Sequence, residues 1–265
     1  LPSSELGSCV FADRRQFRFE LNWRTVQGTP DFDRMLHDYQ ARLEEDGLQG
    51  VRRLEHQRWH GVRGEAGQSL TTRYGRHIAE DRSLVELVFI WPREWDSALE
   101  KRILDSFRLA VPEDGLARWR AYGMDLRVSA GHDLWKVEVP PTSAELLFTA
   151  QKGYRSQRFS RFAMVGEWLT LDPGNWLRAR IPRGFRIEQQ TRHLRDNHEI
   201  FSIKGLRSFP TVKNLFIGRR EIKASAWICP EDKRLYSLVL VSTNRVVEAE
   251  SRISLRCCSH MEVNP

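Results

Sequence analysis

The stretch AEDRSLVELVFI at 79–90 returns as PEDKRLYSLVLV at 230–241, and a chain that repeats itself at such a distance is expected to fold as two related halves. Five of the twelve positions are identical, and three more are conservative: Arg82 with Lys233, Phe89 with Leu240, and Ile90 with Val241. The flanks carry the match further. LEKRI (99–103) faces AESRI (249–253), GVR (61–63) faces GLR (205–207), and HQRW (56–59) faces HEIF (198–201). Earlier still, NWRT (22–25) faces EWLT (167–170), and VFADRRQFR (10–18) faces LFTAQKGYR (147–155). The six matches keep one order, with offsets drifting only between 137 and 151 residues. That period is too long for a solenoid, so each half is expected to be a domain.

The first repeat is assigned to 1–109 and the second to 124–265. The Pro/Gly cluster AVPEDG opens a linker at 110–123. MDLRVSAGHDLWKVEVPP (124–141) reads as an opening strand and hairpin. Its counterpart in the first repeat is either lacking or lies before residue 1 or in the first few residues. A chain of 265 residues is long enough for two such cores.

The periodicities inside each half are legible. QFRFELNW (16–23) alternates as a half-buried strand does. TPDFDRMLHDYQARLEEDG (29–47) has Pro30 at its entry and Gly47 at its exit, with Phe32, Met35, Leu36, Tyr39 and Leu43 on one helical face. VRRLEHQRW, SLTTRYGRHI and SLVELVFIW follow as strand-like runs. EWDSALEKRILDSF (94–107) repeats Trp95, Leu99, Ile103 and Phe107 every four residues, a second amphipathic helix with Trp95 packing beneath it. In the second half DPGNWLRARI (172–181) is a shorter helix, with Asp172 as N-cap and Pro173 at its first position. The pattern predicts an α+β fold: two pseudo-repeated domains, each a central antiparallel sheet flanked by helices.

SLVELVFIWPREWDSALEKRILDSF resembles the end of PsbP-like domains, a last apolar strand followed by a turn and a closing helix. LYSLVLVSTNRVVEAESRISLRCC matches more loosely. That family includes the photosystem PsbP proteins, the Mog-type Ran-binding nuclear-import factor and the bacterial DcrB-like proteins. The resemblance implies a tandem of α/β/α domains used chiefly to hold other proteins, with no shared catalytic constellation. A tandem copy departs from the family's single-domain members.

The search for chemistry returns few candidates. CCSH (257–260), with Cys229, supplies soft metal ligands, but no C-x-x-C pair is present, and neighbouring Cys257 and Cys258 would point apart on a strand or a helix. The repeat pairs Cys229 with Ile78 and Cys257 with Phe107, which are core positions where a free Cys packs as a small hydrophobe. No metal and no cofactor are therefore expected. His56 and His198 occupy equivalent places, either as a duplicated site or as buried rings that each satisfy a backbone carbonyl. The recurring pairs Glu80–Asp81 and Glu231–Asp232 read as turn formers. There is no G-x-S-x-G, phosphate loop or dinucleotide fingerprint.

Charge and aromatic content set the function classes. The net charge of +7 is carried by 35 Arg against 7 Lys, but the Arg are dispersed among 35 acids rather than gathered into a stripe. Trp91 ends a strand, where it is either an interface anchor or a buried ring. Trp91, Arg93, Arg219 and Arg220 are the candidate partner-binding residues. Four cysteines form no regular framework and point to a reduced, cytoplasmic compartment. LGSC before Val10 lacks a signal core upstream, the chain begins at Leu, and a removed targeting segment remains compatible with it. No run is apolar enough for a membrane helix. The expectation is a non-catalytic protein-binding or scaffolding protein. The alternatives are nucleic-acid binding through the Arg-rich surface, and a small-ligand binder or enzyme in the cleft between the domains.

Overall fold

In both halves the strand that carries the repeated stretch is almost wholly apolar, which suits a strand covered on both faces. The computed structural model describes residues 6–12, 18–67, 69–92, 94–150, 155–207, 220–243, 252–259 and 261–264. Two compact units divide the chain, Leu1–Leu109 and Ala110–Pro265.

The first unit is built on strands β1 (Leu6–Ala12), β2 (Arg18–Thr25), β3 (Gln49–His56), β4 (Trp59–Ala66), β5 (Ser69–Ile78) and β6 (Ser83–Trp91). They form one antiparallel sheet in the order β1-β2-β6-β5-β4-β3. β6 sits inside it. Its Val85, Leu87, Phe89 and Trp91 form a core with Trp23, Trp59, Tyr74 and Leu104, the last from helix α2 (Ser97–Ser106). Helix α1 (Phe32–Glu45) is capped by Asp31, whose carboxylate accepts from the Arg34 N–H at 3.0 Å. It is set against the sheet through Phe32, which stacks on His60 with ring centroids 4.6 Å apart.

The second unit contains a seven-stranded and a four-stranded antiparallel sheet. The larger is built from β9 (Asp133–Glu138), β10 (Ser143–Thr149), β11 (Ser156–Phe162), β12 (Phe185–Arg195), β13 (His198–Arg207), β14 (Arg220–Ile228) and β15 (Leu235–Thr243). Its order is β9-β10-β11-β15-β14-β13-β12. The smaller combines β7 (Leu116–Ala121), β8 (Met124–Ser129), β16 (Ser254–Arg256) and β17 (Glu262–Val263) in the order β7-β8-β16-β17. One core joins the two, with Leu126, Val128 and Leu255 against Leu146, Phe148, Phe159, Trp227 and Leu238. The short helices α3 (Val165–Trp168) and α4 (Pro173–Ala179) supply Val165, Trp176 and Leu177 to a separate core with Ile203, Ala224 and Leu235. Asp172 caps α4 and Pro173 opens it.

Six strands thus follow one order in both large sheets, β1-β2-β6-β5-β4-β3 and β10-β11-β15-β14-β13-β12, with β6 and β15 in matching places. The recurring Gly61 and Gly205 have one physical reason. A Cβ there would stand 2.8 Å from the Arg73 carbonyl oxygen and 2.7 Å from that of Arg186, closer than side chains tolerate.

The expected α+β class, with helix-flanked α/β/α domains, is not adopted. Strands hold 56% of the described residues and helices 17%, in three antiparallel sheets. The main cause lies in the second unit, where one face of the large sheet is covered by a second sheet. ISLRCC gives the short strand β16, which pairs with β8, where a closing helix was expected. The stretch 110–123, expected as a linker, contains β7. Its hairpin to β8 turns through Tyr122 and Gly123, both at positive φ (51° and 72°), as a tight two-residue turn requires. No helix among the described residues is long and apolar enough to cross a membrane.

Candidate metal centre

One end of the second unit's inter-sheet core is polar. His198 is the first residue of β13, directly after a two-residue turn in which Asp196 and Asn197 both take positive φ. Cys229 directly follows β14. Cys257 and Cys258 directly follow β16, so the larger sheet supplies two side chains and the smaller sheet supplies two. The four ligand atoms all lie within 4.8 Å of one another. His198 Nε2 stands 3.4 Å from Cys229 Sγ, 3.5 Å from Cys257 Sγ and 3.7 Å from Cys258 Sγ. The two adjacent sulfurs are 3.9 Å apart.

These separations have a chemical meaning. Tetrahedral zinc, with Zn–S of about 2.3 Å and Zn–N of about 2.0–2.1 Å, sets its ligands roughly 3.8 Å (S to S) and 3.6 Å (S to N) apart. The three thiols and the imidazole therefore stand close to such a sphere, with no pair of ligand atoms more than 4.8 Å apart. Among the described residues this is the one such group of histidine, cysteine and acidic side chains.

The surroundings fix the His198 tautomer and donate hydrogen bonds to sulfur, while burial favours the protonated thiols. His198 is 1% exposed, and its Nδ1 lies 2.7 Å from the Asp196 carbonyl oxygen. A carbonyl only accepts, so Nδ1 carries the proton and the Nε2 lone pair faces the sulfurs. The Trp227 indole N–H donates to Cys257 Sγ at 3.3 Å. Burial pushes the Cys229 thiol up, while backbone N–H groups of Asp232 and Glu231 act in favour of its thiolate. Burial likewise pushes Cys257 well above the ordinary thiol range, and the Trp227 indole opposes it. A cation at the centre would displace these protons, because the thiolate is the ligating form.

The expectation of no metal rested on two points, and the fold answers both. Cys257 and Cys258 lie on neither a strand nor a helix: the chain bends at Cys258, and both sulfurs reach one point. The pairing of Cys229 with Ile78 and Cys257 with Phe107 does mark core positions, since both cysteines pack at the edge of the inter-sheet core. Convergence in a core serves ligation as well as packing. Sequence reasoning set Cys229 beside the Cys257–Cys258 pair as possible soft ligands and singled out His198 separately, without joining it to the cysteines. His260 lies outside the described residues.

The other candidates fall elsewhere. His56 ends β3, and its Nε2 sits 2.6 Å from an Asp105 carboxylate oxygen, with no thiol in the arrangement. It has no counterpart to the sulfur cluster and is not equivalent to His198 in place: His56 ends β3 as Arg195 ends β12, whereas His198 opens β13 as Trp59 opens β4. Trp91 is buried, and its indole N–H donates to Glu100 at 3.1 Å. Glu100 is itself 1% exposed and also accepts from the Tyr74 hydroxyl at 2.7 Å and the Trp95 indole at 3.0 Å. Trp95 does not pack beneath α2. It is 37% exposed, with the Arg63 guanidinium 4.4 Å over its ring. Arg220 opens β14 and is half-buried, while Arg93 and Arg219 lie outside the described residues. Asp232 accepts from the Arg234 N–H at 3.1 Å and the Tyr236 hydroxyl at 2.6 Å, as a turn former does.

No protein-family model matches the chain, and no curated protein matches it.

Proposed function

We propose that the protein is a non-catalytic zinc-binding protein, in which His198, Cys229, Cys257 and Cys258 hold one zinc ion that pins together the two sheets of the second unit. The convergence of four ligand atoms within 4.8 Å carries this reading. Four protein ligands leave no open position for substrate or water, which is the arrangement of a structural zinc site. Metal analysis of the purified full chain tests it. One zinc per chain is expected in the wild type, and less than about a tenth of that in Cys229→Ser and in Cys258→Ser, since ligand loss removes most of the binding free energy. A wild-type chain that carries no stoichiometric metal after purification with zinc supplied, and whose four thiols all react as fast as in urea, overturns it.

We further propose that the partner is another protein, held at the β9 edge of the large sheet. Among the described strands β9 is hydrogen-bonded on one side only. Trp135, Val137 and Val139 follow one another at alternate positions and are 74%, 40% and 48% exposed. An open strand edge with an apolar row suits the addition of an extended segment from a partner. Trp135 thereby takes the anchoring role expected of Trp91. Wild-type and Trp135→Lys chains used as bait, eluted in steps of rising salt, test this. One protein retained through high salt by the wild type alone supports it. Nucleic acid released at moderate salt, with no protein recovered, favours the Arg-rich surface instead.

A further inference from the structure

The first unit holds a cavity of about 760 Å³ between α1 and the sheet face that carries Asn22, His60, Gly75 and Glu86. That volume lies in the range of small-molecule sites. Phe32, Met35, Leu36 and Tyr39 of α1 line it, yet no residue of the helix is buried. An amphipathic helix over a sheet ordinarily buries its apolar stripe. Here Phe32 rests on His60, and Tyr39 lies under the Arg73 guanidinium at 4.6 Å, while the space between helix and sheet stays open.

The charges in the cavity are unequally partnered. Glu86 is engaged by Arg73 at 3.5 Å and by the Asn22 amide at 3.4 Å. Asp38 is met by Arg34 at 3.9 Å. Arg24 and Arg42 also line the cavity; both are exposed, and neither forms an ion pair among the described residues. The cavity thus has an apolar side, from Phe32, Met35, Leu36 and Leu84, and a polar one whose acids are matched and on which two guanidinium groups are left over.

We propose that this cavity binds an amphipathic organic anion, with an aliphatic or aromatic body among Phe32, Met35, Leu36 and Leu84 and a carboxylate head on Arg24 and Arg42. A guanidinium fork matches a carboxylate in geometry as well as in charge. The site lies within the first unit and is independent of the zinc reading.

Calorimetry on the full chain tests the proposal with three ten-carbon probes: decanoate, the neutral decanamide and decylammonium. Decanoate is expected to bind with a Kd below about 100 µM, decanamide about tenfold more weakly, and decylammonium more weakly still. The pair Arg24→Gln and Arg42→Gln, both on exposed side chains, is expected to bring decanoate down to the affinity of decanamide and to leave decanamide unchanged. Leu36→Trp, which fills the cavity from a half-buried helix position, is expected to lose all three probes while unfolding at the wild-type temperature. No decanoate binding up to about 1 mM overturns the proposal, as does equal affinity for decanoate and decylammonium. Undiminished decanoate binding by the Arg pair variant also overturns it, whatever the fate of Leu36→Trp.

Discussion

Trp59 and His198 hold comparable ground in the two units. Each opens the strand after a two-residue turn, in β4 and β13, which share a place in the common strand order. Each is 1% exposed. Around Trp59 the space is filled mainly by carbon, with the Arg76 guanidinium 5.7 Å over its ring. Phe107 meets its ring edge-on with centroids 5.3 Å apart, and Ile78 belongs to the same core. Around His198 it is filled by sulfur, from Cys229 and Cys257, the residues that the sequence offsets pair with Ile78 and Phe107. The two corners therefore cohere by different physics. The rings gain from the apolar area they remove from water and from close dispersion contact, wherever they are packed. Small thiols and an imidazole bury little area, and on the proposed zinc reading their cohesion comes from a cation.

The largest expected effect separates the corners by metal dependence. A strong chelator, or Cys229→Ser, removes zinc and destabilises the second unit by several kcal/mol, a fraction of the roughly 10–16 kcal/mol seen for structural zinc binding. Thermal unfolding with and without chelator checks this, and a second unit that unfolds at one temperature in both conditions breaks the comparison. Next comes Trp59→Ala, which empties a fully buried ring position and costs the first unit about 3–5 kcal/mol. That loss is expected to be the same in the presence and absence of chelator; a chelator-dependent loss would mean that the two corners are not energetically distinct.

The smallest effect concerns pH. Burial, with Arg155 nearby, brings the His132 imidazole down to about 4, and its Nδ1 has no hydrogen-bond partner among the described residues. The unfolded chain protonates this ring near its ordinary 6.5, before the folded chain does. The stability of the second unit is therefore complete above about 6.5, falls as pH is lowered toward 4, and levels below that. Zinc loss adds a fall of its own in acid, because protons compete for the thiolates. Urea unfolding against pH in His132→Gln, with the zinc ligands intact, separates the two: the variant should lose the His132 slope and keep the zinc-dependent one.

Much of the secondary structure was legible where local signals were strong. Pro30, the helical face of Phe32 to Leu43, and Gly47 frame α1, while Asp172 and Pro173 start α4. The long strands showed in their alternation and apolar runs. β16 and β17, three and two residues long, carry no periodicity, and they exist because β8 offers an edge to pair with. That edge is a tertiary fact, and missing it led to a helix layer being expected in place of a sheet. Burial of Trp91 was one of the two fates the sequence allowed, but its partner was hidden, since a helical wheel marks Glu100 only as one more acid of α2. At the metal centre the residue types were visible, but their meeting depends on the packing of one sheet on the other.

The placement of the four ligands also bears on how the chain can change. His198 and Cys229 are 31 positions apart, and a stretch of similar length leads on to Cys257. A zinc ion joining them closes two loops and restricts the unfolded chain as a covalent cross-link does, by roughly 3–4 kcal/mol for a loop of this size. Loop-closure cost grows only with the logarithm of length, so doubling either stretch adds about 0.6 kcal/mol. The intervening chain is thus free to lengthen or shorten over generations while the four corners stay fixed. A centre of this kind leaves no constant spacing in its sequence and is recognised by where its ligands arrive.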